Sequence, residues 1–465
     1  MRKYINMKYL SSLFKFVYLI HIILACNFFV LHTIILKITS AIVLVLGAVI
    51  LLYRLVHFRR MIKYPFIPLY VVFMISYVIS VLMNIQYGWY DSAKITVWMT
   101  LQFAALYLFD PDSEKEYIHK EFTISMIIII SVISIMNFIN DFMLLMNYFN
   151  YYEPVEGTIY LVGVAFWGRL FGTYADPNYS SVMSVVAFVA AFYLLKTTKR
   201  KSAKIGLIIS MVLQAFYISC CASRTGLVTI CVSVTVFSFI NTLKKSRRLL
   251  KAIMTSILLV AVIFVSNKLI IEGYNLYTRT PAPKMLSSLV LGSESHDKEM
   301  TKIGRDQELE GDISNRRFDL WKNAIKISKT APITGISFGN IVSYAQEKVP
   351  DSYLLTNGYV IFNAFHNMFF DLLVSQGLLG VIIFLTIIFS SLRFLLKNRK
   401  CILEKDCFMC IFLFSICTGI LSSSFFVSEI LYVNNQVTVF FWTLWGYLIY
   451  FVRSATLNHN EIKEY

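Results

Sequence analysis

What most constrains this chain is the recurrence of apolar runs long enough to cross a bilayer. A spanning helix needs about 20 mainly apolar residues, and such runs recur from "FKFVYLIHIILACNFFVL" near the start to "VTVFFWTLWGYLIYFV" near the end. About twelve can be placed, over residues 14–36, 38–56, 66–85, 94–109, 123–148, 178–195, 204–221, 224–243, 250–271, 370–396, 406–428 and 436–452. Hydrocarbon offers backbone N–H and C=O groups no partners, so each run must satisfy its own, and helices do this. The expected fold class is therefore all-α, a polytopic membrane protein. A composition that is 57% hydrophobic and only 15% charged excludes a soluble domain of this length.

The formal net charge of +16 raises the question of nucleic acid, and the position of the charge answers it. Arg54, Arg59, Arg60 and Lys63 form one cluster, and "KTTKRKSAK", "KKSRRLLK" and "RFLLKNRK" form three more. With helices alternating from an N-terminus that carries Arg2, Lys3 and Lys8, all four fall in short loops on one side. That is the positive-inside pattern. It predicts a membrane protein with both termini cytoplasmic, in contact with anionic membrane lipid and not with nucleic acid. The first run lacks a small-residue cleavage site and carries Lys15, so it reads as a retained helix. The C-x-x-C at Cys407 and Cys410 has no second pair and reads as membrane-packed thiols.

Two connections are long, roughly 149–177 and 272–369, and both fall on the side opposite the basic clusters. The first half of the larger loop mixes proline, glycine and charge and is expected to contain a mobile stretch. Its second half begins with Ser314 or Asn315 as a helix cap, followed by Phe318, Trp321, Ala324 and Ile325 at helical spacing. Then "TAPITGISFGN" turns the chain back. No internal repeat accompanies these elements, whereas many transporters show two related halves.

Four stretches put polar groups at the edge of the membrane on that side: "GRLFGTYADPN" with Arg169, "SRTG" with Arg224, "SNRRFDLW" with Arg316 and Arg317, and "FHN" with His366. Taken singly, each has a plain explanation. An arginine snorkels to headgroups, a pair of arginines lies on a solvated helix face, a lone histidine is structural, and Asn367 caps the next helix. Taken together, three arginine sites on one face make a receptor for phosphoryl oxygens, because guanidinium forks bind them bidentately and stay charged.

In this order the motifs resemble the O-antigen ligase and polysaccharide polymerase family of membrane glycosyltransferases. The resemblance covers roughly residues 165–385 and is most specific in "RFDLWKNAIKISKTAPITGISFGN" followed by "HNMFFDLLVSQGLLGVIIFL". The family pattern falls on Arg317, Trp321, Pro332, Gly335, Gly339, His366, Asn367, Gly377 and Gly380, with Arg224 in "SRTG" and Arg169, Gly172 and Asn178 upstream. The usual small residue before the loop arginine is Arg316 here, which leaves open which of the two acts.

The resemblance implies a GT-C-like arrangement: N-terminal transmembrane helices over 1–165, a ligase/polymerase-like membrane domain over 166–452, and a cytoplasmic tail over 453–465. It implies a glycan donor linked to undecaprenyl pyrophosphate and a glycan acceptor, with a flippase and a chain-length regulator as further partners. In that chemistry His366 is the catalytic base, and Arg224, Arg317, Arg316 and Arg169 hold the pyrophosphate. Asn367, Trp321 and Asn178 support the site or the acceptor. No D-x-D or histidine cluster in the outer loops asks for a divalent ion, so neither metal nor cofactor is expected. Polymerase is the leading expectation and ligase the alternative. A transporter or flippase is the reading from another class, and it predicts repeat symmetry and charges buried mid-span, for which Asp141 is the candidate.

Overall fold

The computed structural model describes residues 7–110, 113–156, 158–165, 167–291, 301–304, 316–356, 361–399 and 407–463. Twelve helices correspond to the expected spans: α1 (Met7–Leu24), α2 (Ile34–Val56), α3 (Ile67–Met83), α4 (Trp89–Leu101), α5 (Lys115–Leu145), α6 (Pro177–Thr197), α7 (Lys201–Cys220), α8 (Arg224–Ser246), α9 (Leu249–Tyr277), α13 (Met368–Lys397), α14 (Cys407–Ser423) and α15 (Gln436–Lys463). Between α9 and α13 lie α10 (Ala282–Leu291), α11 (Arg317–Ser328) and α12 (Ile341–Lys348). The protein is an all-α polytopic membrane protein, and among the described residues nine helices are long and apolar enough to cross a membrane. The expected twelve contracts to nine by length. Helices α3 and α14 are shorter apolar helices, and α4 runs 13 residues before passing into a π-helical turn, Gln102–Tyr107.

The expected span 14–36 is also corrected, because α1 ends at Leu24 and a separate turn, Phe28–Leu31, follows. Asn27 makes the break. Its side chain caps that turn through the Phe29 amide at 2.9 Å and donates to the Thr173 hydroxyl at 3.0 Å, pinning the corner to the segment before α6.

Part of the connection over 149–177, expected as a loop, is a three-stranded antiparallel sheet, β1 (Phe149–Val155), β2 (Thr158–Ala165) and β3 (Arg169–Gly172), in the order β1-β2-β3. In the larger loop, α10 occupies part of the stretch expected to be mobile. Residues Thr301 to Gly304 are held by Asn147, Asn275 and the backbone of Gly168. Residues 292–300 and 305–315, including Ser314 and Asn315, lie outside the described residues, as does the side chain of Cys407.

Helix α11 forms where the apolar spacing placed it, with a rotated face. Leu320, Ala324 and Ile327 are buried, while Phe318 and Ile325 point outward. The buried residues join Ile336, Ile341, Tyr344 and Val374 in a small second core that fixes the loop domain to α13.

Helix α13 is broken at Gly377, where φ is +61° and ψ is −161°. A break inside a membrane helix strands backbone groups that lipid cannot satisfy, and here the returning loop satisfies them. Ile336 and Ser337 donate to the carbonyls of Val374 and Ser375 at 2.9 and 3.0 Å, and the Leu378 and Leu379 amides donate to Pro332 and Ile333 at 2.9 and 3.1 Å. The approach is too close for a side chain on either strand. A Cβ at Gly335 would lie 2.4 Å from the Ser375 carbonyl carbon, and one at Gly377 would lie 2.4 Å from the Ile333 oxygen. The proline and glycine signature is thus the means by which a soluble loop is stitched to a membrane helix.

Candidate active site

Helices α6, α8 and α13 begin, and α7, α9 and α14 end, at one end of the bundle, while the basic clusters lie at the other end of these helices. At the first end the chain folds so that four separate segments meet.

Arg169 opens β3 and is almost wholly buried. Its Nε donates to the Cys221 carbonyl at 3.0 Å and its Nη2 to Asn178 Oδ1 at 3.2 Å. The same Asn178 oxygen accepts from Ser223 Oγ at 3.2 Å, and Ser223 caps α8 through the Gly226 amide at 3.3 Å. Arg224 is the first residue of that helix. Asn178 therefore ties Arg169 to the turn that presents Arg224, which is a positioning task. Asp176 stands beside it as the cap of α6, accepting from the Asn178 amide at 2.6 Å.

Arg317 and His366 come from the loop domain. Arg316 is the N-cap of α11, with φ of +65°. Arg317 follows as the first helical residue, with its guanidinium 5.9 Å from the centre of the Phe426 ring. Burial works against its charge, and so do the like charges of Arg224 and Arg169, while Asp176 supports it. These opposed influences put Arg224, Arg169 and Asp176 within electrostatic reach of Arg317.

His366 is half-buried in a left-handed backbone conformation, φ +50°. Everything around it is tied. The preceding Phe365 amide donates to Asp371 Oδ1 at 2.8 Å, and the Phe365 carbonyl accepts from Trp321 Nε1 at 3.2 Å. The following Asn367 caps α13 through the Phe369 and Phe370 amides at 2.9 and 3.3 Å, and its Nδ2 donates to the Phe425 carbonyl at 3.0 Å. Burial first, and then the Arg317 charge, push the His366 pKa below the ordinary histidine value, with Asp176 opposing. A neutral imidazole, able to accept a proton near pH 7, is the result.

Every candidate site residue from the sequence lies at this end, and they divide by what they touch. Arg317 and His366, with Arg224 and Arg169, form the charged centre. Asn178 and Asn367 hold backbone and arginine in place. Trp321 stacks on Phe370 with ring centres 5.5 Å apart and an interplanar angle of 25°, so one face of its indole serves packing.

Sequence reasoning missed the segment between α14 and α15, which knits the site together. Its Ser424 and Phe425 carbonyls receive the Met368 amide and Asn367, its Phe426 lies by Arg317, and its Ser428 carbonyl accepts from Tyr179 at 2.9 Å. Glu429 in this segment is fully buried and bonded by Ser423 Oγ, and its Oε2 has no hydrogen-bond partner among the described residues. Burial, reinforced by the negative charge of Asp176, pushes its carboxyl up to about 8. It is therefore mostly protonated at neutral pH and does not cancel the arginines. An acidic residue isolated in a short, otherwise apolar connection was the available signal.

Asp141 lies near the end of α5 and not at mid-span. It is buried, and neither carboxylate oxygen has a hydrogen-bond partner among the described residues.

A multi-pass helical membrane protein with a cluster of arginines and a histidine at one end of its bundle is the class that this architecture defines. Residues 209–385 match the family model described as O-antigen ligase, and this match supports membership of the O-antigen ligase/polymerase family, a glycosyltransferase-like group. The matched span holds Arg224, Arg316, Arg317, Trp321, His366 and Asn367, while Arg169 and Asn178 precede it. The chain is also similar to an uncharacterized protein of Haemophilus influenzae, 27% identical over 128 residues, which is 27% of this chain and 31% of that one. The similarity thus spans under a third of that relative's length.

Proposed function

We propose that the protein is a polymerase that joins oligosaccharide repeat units carried on undecaprenyl pyrophosphate, at the outer face of the bacterial cytoplasmic membrane. The observation that carries this is the convergence of Arg317, Arg224 and Arg169 beside a half-buried His366 whose pKa is lowered. An acceptor hydroxyl attacks the anomeric carbon of the donor sugar and gives its proton to His366. The bond from that carbon to the pyrophosphate oxygen breaks, and the leaving undecaprenyl pyrophosphate carries the electron pair. The guanidinium groups of Arg224, Arg317 and Arg169, the last fixed by Cys221 and Asn178, stabilise the charge on that oxygen. Displacement from the opposite face inverts the anomeric configuration. Asp176 and Arg317 set the basicity of the imidazole in opposite directions, while Trp321, Asp371 and Asn367 fix its position.

The basic clusters at the far end of the helices support the orientation, since loops rich in lysine and arginine stay on the cytoplasmic side. The family description favours a second reading, in which the finished glycan is transferred from the same carrier to a lipid, wall or protein acceptor.

The test is the fate of carrier-linked glycan in cells lacking this protein, complemented with wild type or His366→Ala. A polymerase predicts single repeat units accumulating on the carrier in the null strain, restored to long chains by wild type and not by His366→Ala at equal abundance. Long chains stranded on the carrier identify the ligase. Unchanged glycan in every strain overturns both.

A further inference from the structure

At the end of the bundle opposite His366, α2, α3 and α4 enclose a groove of about 440 Å³ that is apolar along its length. Leu55, Ile75 and Ile79 in its walls are exposed, so it opens toward the bilayer. One charged side chain lines it. Arg54 is only 7% exposed; its Nη2 donates to the Leu108 carbonyl at 2.7 Å, and its Nη1 has no hydrogen-bond partner among the described residues. A buried guanidinium nitrogen with no acceptor is costly and rare. Arg59 and Lys63 are exposed in the turn that supplies the lining residues Phe58 and Met61, and Arg60 in the same turn is paired to Asp110 at 2.6 Å, so basic groups outnumber acidic ones in that turn.

We propose that this groove binds an anionic phospholipid from the leaflet on the basic side, with an acyl chain along Leu55, Ile75 and Phe103 and the phosphate oxygen on Arg54 Nη1. Charge complementarity selects the occupant. A groove with apolar walls suits a fatty chain, the Arg54 Nη1 donor left open although Asp110 and Glu121 act on that guanidinium can take a phosphate oxygen, and the cations of the adjoining turn favour a headgroup with net negative charge. A free phosphate ion would leave the apolar walls empty. Leu108 directly follows the π-helical turn of α4, so a bound headgroup would brace the contact between α2 and α4 through Arg54.

The test is native mass spectrometry of the full chain, purified in detergent and titrated with phosphatidylglycerol or phosphatidylcholine of matched chains. Wild type should retain phosphatidylglycerol in preference, and Arg54→Gln should lose roughly tenfold in that binding, the size expected for one hydrogen bond to a charged group. Ile75→Trp, which fills the groove and leaves Arg54 in place, should weaken both lipids, and it decides the matter where Arg54→Gln does not fold. Equal retention of the two lipids by wild type would overturn the proposal. So would undiminished phosphatidylglycerol binding in a folded Arg54→Gln or Ile75→Trp protein, or displacement of the lipid by millimolar inorganic phosphate.

Discussion

Two groups of charged side chains lie at opposite ends of this bundle, and they are built on opposite rules. At the basic end, Lys15 and Glu121 are 1% and 3% exposed and lie 2.8 Å apart. Glu121 also accepts from Ser12 and from Tyr447 at 2.9 Å, and the Lys15 ammonium sits 3.4 Å from the centre of the Phe109 ring. These two charges meet each other. At the other end, Arg169, Arg224 and Arg317 oppose one another, with Asp176 as partial relief. A buried pair of opposite charges compensates itself. Like charges held together by protein are tolerated where an anion completes them.

Removing one half of the paired cluster should have the largest effect. Lys15→Met or Glu121→Gln leaves a buried partner uncompensated, at a cost of about 3–5 kcal/mol. Abundance and melting temperature in detergent should fall together, whereas the double variant Lys15→Met with Glu121→Leu should recover most of the loss. A single variant as stable as wild type would break the contrast from this side.

Arg317→Gln should do the reverse. If its charge serves the leaving group, turnover falls by about 10²–10³, the loss seen when one preorganised donor is removed from a transition state. Stability should hold or rise, because a like charge has been withdrawn from Arg224 and Arg169. A fall in melting temperature with unchanged turnover per folded molecule would place Arg317 with the structural charges.

The two ends were unequally legible in the sequence. Arg169, Arg224 and His366 could be found because each interrupts or abuts a long apolar run, where a polar group demands an explanation. Pro332, Gly335 and Gly377 were legible as a turn and a helix with glycines, although their joint purpose, a backbone ladder across a broken helix, needs both strands in view. Lys15 and Glu121 were hidden because they are 106 positions apart, and a pair exists only once α1 lies on α5. Of the apolar residues read on helix α11, Ala324 and Trp321 face the second core while Phe318 and Ile325 stay exposed, because apolar residues cover much of its circumference and spacing alone admits both Phe318 and Leu320 as starting points. Glu429 drew no notice because its connection is short and its burial comes from Ser423, Tyr179 and the neighbouring helices.

Glu429 sharpens the contrast through pH. Its carboxyl is raised from 4.5 to about 8 in the folded protein. Below 4.5 the residue is protonated whether the chain is folded or not, so its contribution to stability is fully present. Between 4.5 and about 8 the unfolded chain gives up the proton that the folded one keeps, and stability falls as pH rises; above about 8 the decline ends. Glu429→Gln should flatten that slope, measured as the difference in melting temperature between pH 5 and pH 8.5. An unchanged slope would mean that the acid is not held neutral beneath the arginines.

The smallest effect expected is on the histidine. Asp176 is the carboxylate that raises the His366 pKa against burial and Arg317. Asp176→Asn keeps a good capping residue for α6 and removes only the charge. If His366 is the base, kcat/KM is lost at acid pH as the imidazole protonates, and the neutral substitution should move that acid limb to lower pH while leaving the plateau nearly intact. A shift to higher pH would mean that Asp176 does not act on the imidazole by its charge. A fall of the plateau without a shift would instead make Asp176 a contact for substrate. The direction of a modest shift thus separates a site tuned by opposing charges from one that merely collects them.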